Sequence, residues 1–208
     1  MIDVFKQLGI SSHVRDVFSP YMIFDAVEEL RFNYGYQQEL FGVNRHLVPV
    51  TDACWFAGQW NPSRISHVFM AESAMEMIAF FERKTHMYKN TDQLLFIATG
   101  LSPSKKLLAE IGELFKARKF TIVHDNDLLG RVWSVKVAGW LFGKQFKIKY
   151  LPGYKIKVYY LDCYYCLPEN EFNLNQVQLK LGMRLKVKTI YPRVGRTFIQ
   201  QLQYEHLL

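Results

Sequence analysis

Between residues 66 and 150, four short apolar runs alternate with stretches of helical spacing. The runs are 66–71 (SHVFMA), 93–99 (QLLFIAT), 120–124 (FTIVH) and 146–150. Helical patterns follow the first from about Glu72 to Arg83, the second from an N-capping Ser104 to about Arg118, and the third to about Phe142. The first three runs offer almost no polar face, so such strands must be covered on both sides. Alternation with helices then points to βαβ units and a parallel sheet. The expected fold is α/β, a Rossmann-like parallel sheet flanked by helices.

The flanks read differently. In 21–31 (YMIFDAVEELR) the apolar positions Ile23, Phe24, Val27 and Leu30 have helical spacing, yet Tyr, Ile and Phe also suit strands. Stretches 39–43 and 46–50 read as strands split by a turn at Gly42-Val43-Asn44, and Asn61-Pro62-Ser63 breaks the chain after Trp55, Phe56 and Trp60. Residues 1–65 are therefore expected to be a β-rich lead-in. Late in the chain the period becomes two. Phe146, Ile148 and Tyr150 alternate with Lys147 and Lys149; beyond a Pro152-Gly153 turn, Ile156, Val158 and Tyr160 alternate with Lys155 and Lys157. Leu179, Leu181, Met183, Leu185 and Val187 alternate with Lys180, Arg184, Lys186 and Lys188. One apolar and one basic face predict half-buried strands. The expected division is a lead-in at 1–65, an α/β domain at 66–160 and a basic β-rich extension at 161–208.

Charge follows the same division. The chain of 208 residues carries a formal +7. Residues 1–65 hold 5 basic and 7 acidic side chains, residues 66–142 hold 10 and 8, and residues 143–208 hold 11 and 4, so the excess lies in the last third. Half of the residues are hydrophobic, which excludes global disorder, and 3 cysteines do not make a disulfide scaffold. The N-terminus lacks a signal-peptide layout and no apolar run is long enough to span a bilayer, so the expectation is a soluble, cytoplasmic protein without a membrane partner.

Ligands in parallel α/β sheets bind beyond the carboxyl ends of the strands. Glu72 follows the first run, and Asp125 and Asp127 follow the third. If those strands are neighbours the three carboxylates share one edge, and carboxylate oxygens suit a hard cation such as Mg²⁺. Taken singly, each acid also reads as ordinary helix-start chemistry, Asp127 as an N-cap above all.

The strand, Glu72-Ser73-Ala74-Met75-Glu76, helix, and then FTIVHDNDLLGR resemble the Toprim domain of bacterial primases, topoisomerases, some nucleases and mobile-element proteins. Asp125-Asn126-Asp127-Leu128-Leu129-Gly130-Arg131 is similar to the Asp-x-Asp motif of its primase-like members, and Ala98-Thr99-Gly100 to the loop after the second strand. The resemblance covers about residues 64–160. It implies Glu72 as general acid or base, Mg²⁺ (or Mn²⁺) held by Glu72, Asp125 and Asp127, and primase-like nucleotidyl transfer or nuclease-like cleavage on DNA or RNA, with replication or mobilisation proteins as partners. Two departures stand out: Ser73 replaces a glycine, and Pro152-Gly153-Tyr154-Lys155-Ile156-Lys157 stands where primase-like members carry a late acidic motif. The second leaves open a non-catalytic module that only grips nucleic acid or a partner protein.

Arg131, Lys147, Lys149, Lys155, Lys157, Lys186 and Lys188 are the expected contacts to nucleic acid, with the tyrosines of 154–165 as stacking surfaces. Lysines on an edge strand also discourage aggregation, an equally good reading of the same stripes. Cys163-Tyr164-Tyr165-Cys166 has metal-like spacing but no second pair, since only Cys54 remains. His124 precedes Asp125, which brings it toward the site, although a histidine at a strand end more often serves structure. Ser102 and Ser104 have no His/Asp partners in sequence, which argues against a serine hydrolase.

Overall fold

Three sheets and seven α-helices organise the described residues of this computed structural model, 4–24, 29–88 and 90–206. The chain begins with α1 (Val4–Gln7) and α2 (Ser12–Phe18), the latter capped by Ser11, whose Oγ accepts from the Val14 N–H. Strands β1 (Ile23–Phe24), β2 (Leu30–Tyr34), β3 (Gln37–Gly42) and β4 (Arg45–Leu47) then form an antiparallel meander. The helical spacing of Ile23, Phe24 and Leu30 thus resolves as strands, while Val27 lies outside the described residues. The lead-in carries strands as expected, but it opens with two helices.

The central sheet takes β5 (Trp55–Gly58), β6 (His67–Ala71), β7 (Leu94–Ala98), β8 (Lys119–Val123) and, from much later in the chain, β12 (Val187–Ile190). The order is β12-β8-β6-β7-β5; all neighbours are parallel except β5, which runs antiparallel to β7. Helices α3 (Ala74–Lys84), α4 (Lys105–Leu114) and α5 (Leu128–Leu141) follow β6, β7 and β8, as the rhythm of the sequence predicts, though α4 stops short of Arg118.

Both sheet faces are buried. Phe69, Ala71, Phe96 and Ala98 pack into one core with α3, the N-terminal helices, the meander and α7 (Phe198–His206). Val68, Met70, Leu95, Ile97 and Ile122 pack into a second core with α4, α5 and α6 (Leu174–Leu181). This second core also receives Ile156, Val158 and Leu167 from a separate antiparallel sheet of β9 (Lys147–Leu151), β10 (Lys155–Tyr160) and β11 (Cys163–Pro168), in the order β11-β10-β9.

Two sequence expectations are corrected here. The fourth apolar run becomes β9, outside the parallel sheet: with Lys147 and Lys149 it has one polar face, and a strand of that kind suits a sheet covered on one side only. The fourth parallel strand is instead β12. The alternation over 179–188 is not one strand either. Leu174, Val177 and Leu181 sit at helical spacing on α6, with the Asn173 side chain accepting from the Gln176 N–H at its start and Gly182 at φ 61° ending it. Leu179 lies exposed on the helix's outer side, and Lys180, Arg184, Lys186 and Lys188 are spread over a helix end, a connector and an edge strand.

The divisions after 65 and 160 fall between strands of one sheet, because β5 comes from the lead-in and β12 from the C-terminal third. The C-terminal third contributes two helices beside its strands. Among the described residues no helix is long and apolar enough to cross a membrane.

Candidate functional site at the carboxyl edge of the sheet

β6 and β8 are parallel neighbours, with Ala71 opposite Val123 at their last paired positions. One residue beyond Ala71 comes Glu72, and two and four beyond Val123 come Asp125 and Asp127. The three acids predicted from sequence therefore lie at one edge. They are close enough to act on one another: burial first, then the charges of Asp125 and Asp127, pushes the Glu72 carboxyl up to about 7. Burial and Asp127 likewise raise Asp125, against the pull of Arg196.

Asp127 serves α5 as its N-cap, Oδ1 accepting from the Gly130 N–H at 2.7 Å. Its Oδ2 meets Nη2 of Arg196 at 2.7 Å, and Nε of the same guanidinium lies 3.4 Å from Asp125 Oδ2. Arg196 thus bridges the two aspartates. Its loop is pinned from below: the Asn126 N–H donates to the Arg196 carbonyl, and Asn126 Nδ2 to the Pro192 carbonyl. Among the described residues no three His, Cys, Asp or Glu side chains are arranged to hold a metal ion as they stand. The aspartates face the arginine.

His124 does approach the site. It is buried, its Nδ1 lies 3.9 Å from Glu72 Oε2 and makes no hydrogen bond, and burial lowers its pKa to about 4, so the ring is neutral. Four residues after Glu72, Glu76 is half-buried on α3. It accepts from the Phe198 and Ile199 N–H groups, joining α3 to the start of α7, and burial with the Asp125 charge raises it to about 7.

No protein-family model matches the chain, and no curated protein or solved structure matches it.

Beneath the acids lies a network that the sequence motifs do not contain. Glu39 on β3 has no exposed surface. Its Oε2 accepts from Tyr34 OH at 2.6 Å and the Ala74 N–H at 2.8 Å; its Oε1 accepts from Ser73 Oγ at 2.7 Å and the Met75 N–H at 3.1 Å, and lies 3.0 Å from His46 Nε2. A carboxylate thus sits on the first turn of α3, where the helix dipole and unpaired N–H groups favour negative charge. Burial opposes its ionisation, but His46, Tyr34 and Ser73 outweigh that and hold Glu39 below the usual carboxylate range. Conversely, despite burial, Glu39 raises His46, and the charges of Glu76 and Asp125 add to this. His46 faces the acids from the meander.

Ser73, His46 and Glu39 are not a nucleophilic triad. Ser73 is buried, donates to Glu39 and accepts from the Glu76 N–H as the N-cap of α3, so its oxygen has no exposed attack position. The signal for Glu39 in the sequence is parity: it shares the inward face of β3 with Phe41, and an acid in phase with a buried aromatic marks a deliberate internal charge. Arg196 has no such signal, because it lies in an irregular loop.

The basic residues separate. Lys147, Lys149, Lys155 and Lys157 share the outer face of β9 and β10. Arg131 is a clasp: Nε donates to the Asp127 carbonyl and Nη1 to the Glu169 carbonyl, both at 3.2 Å. Lys186 precedes β12 at the amino edge of the central sheet, far along the strand direction from the acids, and Lys188 is exposed on β12. Cys163 and Cys166 are exposed on one strand three residues apart, which turns them to opposite faces and excludes joint chelation.

Proposed function

We propose that the chain is a Toprim-like protein acting on nucleic-acid phosphates, with Mg²⁺ (or Mn²⁺) held by Asp125 and Asp127 and with Glu72 as general acid or base. One observation carries this reading: the Ala71–Val123 register brings Glu72 together with the Asp125-Asn126-Asp127 turn at the carboxyl edge of parallel strands. The donor chemistry fits the group. Carboxylate oxygens suit a hard cation, and Arg196 already draws the aspartates around a positive charge.

A bound divalent cation supplies charge stabilisation to a phosphate in transfer. The chain's own residues supply the rest. Glu72, at about 7, is poised to hold or release a proton at neutral pH. Glu39 fixes the start of α3, and with it the carbonyl end of β6 from which Glu72 projects. Arg196 sits on a loop with its side chain 59% exposed, so it can leave the aspartates for a phosphate without disturbing the core.

A second reading, a module that grips nucleic acid without chemistry, is favoured by the same arginine, because its guanidinium neutralises both aspartates. Calorimetric Mg²⁺ titration with a nicking and nucleotide-incorporation assay separates the two. The first expects Mg²⁺ binding that Asp125→Ala with Asp127→Ala abolishes, and a metal-dependent activity lost in Glu72→Gln. Unchanged Mg²⁺ affinity in the double variant refutes the metal assignment. Salt-dependent nucleic-acid binding that survives all three substitutions, without turnover in the parent chain, establishes the second reading.

A further inference from the structure

β9, β10 and β11 turn one face into the second core and the other to solvent. Register fixes what the outer face holds. Lys157 lies opposite Lys149 on β9 and Cys166 on β11; Tyr159 lies opposite Lys147 and Tyr164; Lys155 lies opposite Leu151 and Pro168. Four lysines and two tyrosines thus share one face, and no acid alternates with them on these strands. Among the described residues none of the four lysines makes an ion pair.

Edge protection does not account for this arrangement. A guarding lysine belongs on an edge strand, but Lys155 and Lys157 lie on β10, which is paired on both sides. Lys149 and Lys157 are direct cross-strand partners, and like charges placed so repel. An anion lying across the face relieves that repulsion.

The aromatic rings narrow the class of anion. Tyr159 and Tyr164 have ring centroids 5.9 Å apart. The Lys157 ammonium sits 3.6 Å from the Tyr164 centroid and 4.9 Å from that of Tyr159, and Lys147 and Lys149 each lie 5.9 Å from Tyr159. Ring faces that hold ammonium groups in the free protein can take the faces of unpaired bases, while the lysines move to the flanking phosphates. The exchange is favourable, because a base stacked on a ring is worth more than an exposed cation–π contact. A duplex offers no base face to a flat sheet.

We infer that the outer face of β9–β11 binds single-stranded nucleic acid, with Tyr159 and Tyr164 stacking on bases and Lys147, Lys149, Lys155 and Lys157 contacting the backbone. The inference rests on the nucleic-acid part of the function proposed above and names its substrate as single-stranded. The path leads towards the acids. From Tyr159 to Lys155 the strand covers about 13 Å, and at the Lys155 end Arg131 ties the Glu169 carbonyl to the Asp127 carbonyl.

The exposed cysteines provide the test in the unaltered chain. Cys166 stands on the binding face beside Lys157, Cys163 on the opposite face, and Cys54 is buried. Maleimide labelling in chelator, read by mass spectrometry, is followed with and without an oligothymidylate of about 12 nucleotides and with a duplex of equal length. The expected result is protection of Cys166 but not Cys163, by the single strand only. Tyr164→Leu lowers affinity about tenfold, and Lys149→Glu flattens the slope of log K against log salt by roughly 0.7 for each phosphate no longer neutralised. Equal protection by duplex overturns the single-strand assignment, and unprotected Cys166 with retained binding overturns the face. Binding that requires Mg²⁺, or vanishes in the Asp125→Ala, Asp127→Ala variant, also overturns the face and leaves the strand at the acidic edge. Metal-dependent turnover without any oligonucleotide protection removes this inference while leaving the proposed centre intact.

Discussion

Burial and the charges of Asp125 and Asp127 move the Glu72 carboxyl from an ordinary 4.5 to about 7. A carboxyl whose folded pKa lies above its unfolded value stabilises the protein fully below the unfolded pKa, and that contribution is lost as pH rises through the folded one. For Glu72 the window runs from about 4.5 to about 7, and at 1.36 kcal/mol per pH unit the loss is about 3 kcal/mol. Glu76 shifts in the same direction, as does His46, which Glu39 raises. Urea unfolding in chelator is therefore expected to give lower stability at pH 8 than at pH 5, with a clearly smaller difference in Glu72→Gln. Equal stability at both pH values would contradict the clustering of these acids. Glu72, Asp125 and Asp127 were legible in the sequence because strand ends of a parallel sheet collect at one edge. Glu39 left only its parity with Phe41 as a sign of burial, and nothing tied it, His46 or Arg196 to the acids, because they enter the edge from the meander and from a late loop, far away along the chain.

At the scale of elements, the turn between β8 and α5 depends on one residue without a side chain. A Cβ on Gly130 would stand 2.2 Å from the Asp125 carbonyl oxygen, a backbone atom that moves only with the whole turn. The Gly130 N–H is also the donor to Asp127 Oδ1. Gly130→Ala is expected to destabilise the fold by about 1–3 kcal/mol and to weaken any Mg²⁺ binding at Asp125 and Asp127, as read by urea unfolding and calorimetry. Unaltered stability and affinity would mean that the turn has room the structure does not give it. Elements with strong local signals were legible: Ser104 and Asp127 read as N-caps, and both cap the helices that follow them. The misreading of 179–188 has a local cause. Leu-Lys-Leu-Gly-Met-Arg-Leu alternates by chance across a helix end, and the decisive marks were Asn173 before α6 and Gly182 after it.

At the scale of the whole molecule, distant parts of the chain meet at the acidic edge. The meander brings Glu39 and His46, the parallel sheet brings Glu72, Asp125 and Asp127, and the segment between β12 and α7 brings Arg196. The basic excess of the last third is thereby divided: Arg196 answers the acids from within, while the β9–β11 lysines face outward. An arginine and a divalent cation compete for the same aspartate oxygens, so their effects on stability should be reciprocal. Arg196→Ala removes two half-exposed ion pairs and is expected to cost about 1 kcal/mol in chelator. The same variant should bind Mg²⁺ more tightly than the parent chain. Binding at a hundred times the dissociation constant adds about 2.7 kcal/mol, so at a given Mg²⁺ concentration the midpoint of thermal unfolding should rise more in Arg196→Ala than in the parent. Absence of any Mg²⁺-dependent shift in the variant would show that the aspartates belong to the arginine alone.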